Sequence, residues 1–135
     1  MKILLLGKGG QVGWELQRAL TPLGEVVACD FDSVGDLRAD FSQPESLRAL
    51  MRRVRPGLIV NAAAHTAVDK AQSEPDLARA INATAPGVIA EEAAALGATL
   101  VHYSTDYVYD GSGSTARDET APTGPLSVYG RTKLE

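Results

Sequence analysis

Tyr129 and Lys133 stand four apart in "SVYGRTKLE" (127–135) of this 135-residue chain. On a helix that spacing stacks them on one face, roughly 6 Å apart along the axis. A phenol holds its proton too tightly to exchange it readily at neutral pH, and a neighbouring ammonium favours the phenolate. The pair is therefore suited to protonating a carbonyl oxygen as hydride arrives at its carbon, and the lysine can also hold a nicotinamide ribose. Thr105, in "HYSTDYVYDG" (102–111), offers a second hydroxyl to the same carbonyl, so that two donors converge on one developing oxyanion. The plainer alternatives are an exposed helix pair and a threonine capping a turn.

A second constellation lies at the other end of the chain. In "GKGGQVG" (7–13), Gly7, Gly10 and Gly13 form a GxxGxxG pattern between a strand and a helix. The first glycine permits a tight turn, the second lets backbone approach a pyrophosphate, and the third lets the helix pack on its strand. Free N–H groups at the helix start then meet the negative charge. Asp30 follows the second strand, 17 residues past Gly13, near the spacing of a ribose-binding acid. Its carboxylate would repel a 2′-phosphate, which leans the site towards NAD(H), while Lys8 leaves NADP(H) open. In "RADF" (38–41), Asp40 and Phe41 are further candidates beside the adenine. Ala62, Ala63 and Ala64, in "NAAAHTAVD" (61–69), are small enough to let a cofactor lie across the sheet edge. His65 and His102 read as packing or hydrogen-bonding residues, without ligand-spaced partners for a metal. Cys29 reads as core.

The elements that must position these residues follow from hydrophobic pattern. Apolar runs at 2–7, 25–30, 57–63 and 98–104 predict four strands buried on both faces. Val12, Leu16, Ala19, Leu20 and Leu23 recur at helical spacing until Pro22 and Gly24 intervene. "SQPESLRALMRRVRP" (42–56) places Ser42 and Glu45 at capping-box spacing, then an apolar stripe of Leu47, Leu50, Met51 and Val54. Arg52, Arg53 and Arg55 read as its solvated end rather than as a phosphate site. A helical stretch from about Glu74 to Leu96 should kink or break at Pro86-Gly87. After Tyr109, a Gly/Ser/Thr/Asp/Pro-rich segment predicts a long, mobile surface loop. Strand–helix alternation predicts an α/β fold, a Rossmann-type doubly wound parallel sheet with helices on both faces and ligands at the carboxyl ends of its strands.

Composition narrows the classes. With 44% hydrophobic residues, 22% charged residues and a net charge of -4, the chain reads as one soluble domain. It lacks the footprint of a nucleic-acid or anionic-membrane partner. No apolar run reaches the ~20 residues of a membrane span. "MKILLLGKGG" reads as a strand rather than a signal peptide, and a lone cysteine fits a reducing, cytoplasmic setting.

These motifs together resemble the extended short-chain dehydrogenase/reductase family. The matching stretches are "GKGGQVGWELQRAL", "VNAAAHTAVDKAQSEP", "STDYVYDG" and "VYGRTK", spread over the whole chain. The resemblance implies that 1–135 is an NAD(P)-binding Rossmann domain ending before the smaller C-terminal substrate domain of such enzymes. It implies reduction, with NADH or NADPH, of the 4-keto group of a dTDP-6-deoxyhexulose to give dTDP-L-rhamnose. Thr105, Tyr129 and Lys133 carry over as catalytic residues, and Gln11, Val12, Asp30, Ala62 and Ala63 as cofactor contacts. Thr66, Val68 and Asp106 fall near cofactor or substrate. Members are also linked with Mg2+, whose ligands the resemblance does not place, and a homodimer is a candidate assembly. Related dehydratases carry a second carboxylate after the Thr-Asp pair, where this chain has Tyr107, which argues for net reduction. Gly9 stands where relatives often have threonine. Without a substrate domain, the chain is expected to bind cofactor weakly, turn over poorly and fray at the Tyr129 helix. The rival from another class is a non-catalytic NADP-binding regulatory subunit similar to that of methionine adenosyltransferase. Retention of Thr105, Tyr129 and Lys133 speaks against it. An epimerase or another sugar-nucleotide ketoreductase is a further rival.

Overall fold

A computed structural model describes residues 1–135. Four strands, β1 (Lys2–Leu6), β2 (Glu25–Cys29), β3 (Leu58–Asn61) and β4 (Thr99–His102), form one parallel sheet in the order β2-β1-β3-β4. Leu6 is in register with Cys29 on one side and Asn61 on the other, and Asn61 with His102. All four strands therefore end at one level, and the segments that follow them crowd one edge of the sheet. In β1, Ile3, Leu4, Leu5 and Leu6 are each 0% exposed, as an apolar run covered on both faces requires. The expectation of two-sided burial fails in part for β2, where only Cys29 is fully buried, and outright for β4, where Thr99, Val101 and His102 are exposed. That strand pairs on one side only, and the helix on its second face lies over β1 and β2 instead.

Helix α1 (Gln11–Leu20) packs on one face through a small cluster of Ile3, Leu5, Leu20 and Val60. Helices α2 (Pro44–Val54) and α5 (Ala85–Leu96) cover the other face, where the main core joins Leu4, Leu6 and Ile59 to Leu47, Leu50, Met51 and Ile89. The stripe read for α2 is thus its buried face, but the capping box does not form. Gln43 is the N-cap, without a side-chain bond, and the Ser42 N–H and hydroxyl both donate to Asp40 Oδ1 at 3.0 and 2.6 Å. A local aspartate turn has taken the serine that a cap would use. The helix ends at Arg55 in the left-handed region (φ 49°), since Pro56 disfavours helical backbone before it. Arg52, Arg53 and Arg55 are exposed, as a solvated end requires, and Arg52 also reaches a neighbouring helix. Its guanidinium makes two hydrogen bonds to Glu92 on α5, an acid only 4% exposed, which Arg48 also reaches at 3.1 Å.

The stretch from Glu74 to Leu96 is broken as expected, but ahead of the proline. Helix α4 (Pro75–Arg79) passes through a π-helical turn, Ala80–Thr84, into α5. Pro86 brings no N–H for the carbonyl of Asn82 and crowds it, and the widened turn absorbs both effects one turn upstream. A short helix the sequence pattern did not reveal, α3 (Val68–Ser73), precedes α4. Helix α6 (Val128–Leu134) has partners at both ends. The Ser127 hydroxyl accepts the Gly130 N–H at 3.0 Å, and Arg79 holds Glu135 in a two-point ion pair at 2.7 and 2.8 Å. The long loop after Tyr109 folds on itself, with Arg117 over the Tyr109 ring and bonded to Asp110 at 3.0 Å.

Candidate active site

At the carboxyl end of β1 the chain turns sharply, with the Gly7 and Lys8 N–H groups both donating to Cys29 O. Gly7 has φ +85°, and a Cβ there would meet the backbone of Ala63 at 2.6 Å. A Cβ on Gly13 would lie 1.9 Å from Gly7 O, so α1 can start this close to its strand only with glycine at 13. Gly10 is different: its Cβ would meet nothing nearer than Gly7 O at 3.6 Å. The protein's own packing does not demand a glycine there. No side chain caps α1, and its first turn holds no acid, so the N–H groups of Gln11, Val12 and Gly13 face outwards unneutralised. An open glycine at an uncapped helix start fits a phosphate group.

Asp30 projects beside this loop. Its Oδ2 accepts the Gly9 N–H and its Oδ1 the Phe31 N–H, both at 2.8 Å. Asp40 is occupied differently: Ser42 holds Oδ1 and Arg38 approaches Oδ2 at 3.4 Å, so the hydroxyl of Ser42 first and Arg38 later keep this carboxyl below its ordinary range. Phe41 lies on the core side of the Asp40 turn. At 7% exposed it belongs to the main core with Leu47 and Met51, because the turn at Asp40 points the next residue inwards. Ala62, Ala63 and Ala64 are half-buried along the edge of the sheet, Thr66 is exposed, and Val68 is half-buried at the start of α3.

The tyrosine end is assembled from distant segments. Thr105 caps the short turn Asp106–Val108, accepting the Tyr107 N–H at 3.3 Å while its hydroxyl faces Asp106 Oδ1 at 3.3 Å. Helix α6 docks against that turn through Gly130, where a Cβ would lie 2.3 Å from Tyr107 O. The Tyr129 ring then meets Tyr107 edge to face, centroids 5.4 Å apart. Lys133 donates to Tyr103 O at 2.6 Å, just past the end of β4, and burial pushes its ammonium down from its ordinary range. Thr105, Tyr129 and Lys133 thus converge on the same stretch, 103–107, beyond β4. No group of three or more His, Cys, Asp or Glu side chains is arranged to hold a metal.

The comparisons with known proteins give the chain its family. The family described as "RmlD substrate binding domain" matches residues 1–135. The chain belongs to that family. A dTDP-4-dehydrorhamnose reductase of Shigella flexneri is 58% identical over 134 residues, covering 99% of this chain and 44% of that protein. The chain thus spans less than half the length of the curated relatives it matches. Among solved structures, a dTDP-4-dehydrorhamnose reductase of Clostridium acetobutylicum superposes with a TM-score of 0.90 at 38% identity, over 99% of this chain and 46% of that one. One from Bacillus anthracis, in complex with NADP, gives 0.89 at 32% identity, over 98% of this chain and 46% of that one. The Rossmann-type fold read from the sequence is the fold of these RmlD-family relatives.

Three residues that shape this edge of the sheet carry no local sequence signal. Buried Asn61 closes β3: its Oδ1 accepts the Ala63 N–H at 3.1 Å, which turns its Nδ2 towards His102 Nδ1 at 3.1 Å. The imidazole therefore accepts there and carries its proton on Nε2. Partial desolvation of the ring at the sheet edge, and then the Lys133 charge, push its pKa down. Asn82, in the π turn, accepts the His65 N–H at 2.8 Å and donates to His65 O and to Thr132 Oγ1, both at 3.1 Å. It ties the alanine loop to α6. Gly130 is the third. In the sequence these are an asparagine in an apolar run, one in a helix and a glycine between Tyr129 and Lys133, and only their spatial partners give them meaning.

Proposed function

We propose that residues 1–135 form the NAD(P)-binding and catalytic part of a dTDP-4-dehydrorhamnose reductase, acting in the cytoplasm on a dTDP-linked 4-keto sugar. The observation that supports this best is the docking of α6 through Gly130, which brings Tyr129 and Lys133 to the turn headed by Thr105. A bound NADH or NADPH would supply the hydride. Gly7, Gly10 and Gly13 shape the phosphate cradle, with Gln11 and Val12 contributing its N–H donors, Asp30 receives the adenosine ribose, and Ala62, Ala63 and Ala64 leave room along the sheet edge. Tyr129 gives its phenolic proton to the carbonyl oxygen, Thr105 hydrogen-bonds the same oxygen, and Lys133 orients the tyrosine electrostatically and holds the nicotinamide ribose. Thr66, Val68 and Asp106 border the substrate. Asp40 shapes the turn at the adenine side, and Phe41 supports it from the core.

The test is NAD(P)H oxidation with dTDP-4-dehydrorhamnose, run on this chain and on a version extended with the C-terminal part of a reductase relative. Turnover in the extended protein, lowered ~10²- to 10⁴-fold by Tyr129→Phe without loss of stability, is the expected result. Cofactor binding without turnover in either version would overturn the reading in favour of a regulatory subunit.

A further inference from the structure

The glycine loop contains one glycine that a side chain, not the backbone, requires. A Cβ on residue 9 would lie 2.9 Å from Asp30 Oδ2 and 3.9 Å from its Cγ, and within 4 Å it would meet nothing else. Gly9 is not among the residues with positive φ. The Asp30 carboxylate alone therefore opposes a Cβ at position 9, and that carboxylate accepts the Gly9 N–H at 2.8 Å. Phe31 N–H holds the other oxygen at the same distance, and Asp30 N–H is itself bound to Ser33 Oγ at 2.8 Å. The aspartate is latched to both sides of the crevice between the first two strands.

We infer that Gly9 is a positioning residue for cofactor choice: by letting Asp30 latch onto the glycine loop, it fixes a negative charge at the adenosine ribose and biases the chain towards NADH over NADPH. This rests on the cofactor reading above. A carboxylate has about four lone-pair sites. Two are taken by backbone N–H groups, and the others remain for a vicinal diol. A free aspartate can swing away from a 2′-phosphate, whereas a latched one must lose its two charge-assisted bonds to do so. The cations nearby do not cancel the effect by pairing with Asp30: Arg38 approaches Asp40 and Arg53 approaches Asp36, at 3.4 and 3.1 Å. Lys8 remains the competing charge.

A side chain at position 9 meets the free end of an aspartate on one side and a loop pinned by backbone bonds on the other, from Gly7 and Lys8 to Cys29 O and from Gly10 to Gly7 O. The aspartate is the part that yields. Gly9→Ala and Gly9→Thr should therefore release Asp30 without unfolding the loop.

The experiment is titration of NADH and NADPH, followed by nicotinamide fluorescence, on the chain and on Gly9→Ala, Gly9→Thr, Asp30→Asn and the Gly9→Thr/Asp30→Asn double variant, with melting temperatures measured alongside. The chain should prefer NADH roughly tenfold or more, and Gly9→Thr should cut that ratio roughly three- to tenfold. Asp30→Asn should remove the preference, after which Gly9→Thr should change it no further. Equal weakening of both cofactors by Gly9→Ala and Gly9→Thr would make position 9 merely structural and overturn the inference, as would a wild-type preference for NADPH. Binding of neither cofactor would overturn the cofactor reading itself.

Discussion

The two ends of the proposed site are built in opposite ways. The glycine end lies within the first 30 residues or so, and it is fixed by backbone atoms meeting backbone atoms: Gly13 on Gly7, and Gly7 and Lys8 on Cys29. The tyrosine end is gathered from segments far apart in the chain. Its fixing bonds span 30 residues from Lys133 to Tyr103, 50 from Thr132 to Asn82 and 56 from Val128 to Gln72. Helix α6 has seven residues, too few to be stable alone in water. The glycine turn is therefore part of the fold, whereas the helix that carries Tyr129 and Lys133 depends on docking contacts from distant segments.

That contrast can be broken from either side. The largest effect should come from Gly13→Ala, whose Cβ would lie 1.9 Å from Gly7 O, costing about 3 kcal/mol in denaturant melts. Gly130→Ala places its Cβ 2.3 Å from Tyr107 O and should cost about 2 kcal/mol. Amide exchange should then speed up across 128–134 while β1 and β3 keep their protection. Equal loss of protection in both regions would mean that α6 is no separate unit.

Acid should act on the scaffold beneath both ends. Hydrogen bonding to Arg52, then Arg48, holds the Glu92 carboxyl below its ordinary value near 4.5. A lowered folded-state pKa contributes stability that is fully present above the unfolded value and disappears as pH falls through the folded one. Melting temperature should therefore drop below about pH 4.5, and less steeply in Glu92→Gln. The smallest effect on stability belongs to Gly10→Ala, below about 1 kcal/mol, because the position is open and only the helix cap is altered. Cofactor affinity should nevertheless fall sharply. Unchanged affinity would remove Gly10 from the cradle and blur the contrast with Gly13.

Much of the cradle was legible in the sequence because its information is local. Glycines at 7, 10 and 13 between a strand and a helix, and Asp30 after the next strand, need only short-range geometry to find one another. The stripe of Leu47, Leu50, Met51 and Val54 was legible for the same reason, since period alone decides which face is buried. Ser42 misled because two local partners competed for it, the cap and Asp40, and spacing does not rank them. The inward direction of Phe41 was not legible, because the Asp40 turn sets it.

By itself the sequence determined the parallel α/β order, the glycine turn, the acid beside it and the Tyr–Lys pair on one helix face. Only the tertiary structure decided that Thr105 heads the turn on which that helix docks and that the helix break falls at Asn82, not at Pro86. It also decided that Asn61 and Asn82 bind loops across the sheet edge, and that Gly9 is reserved for a carboxylate. The physical reason is the range of the forces involved. Propensity, periodicity and turn sterics act between neighbours in the chain, while a buried amide or a missing Cβ acquires its role from atoms that only folding brings within about 4 Å.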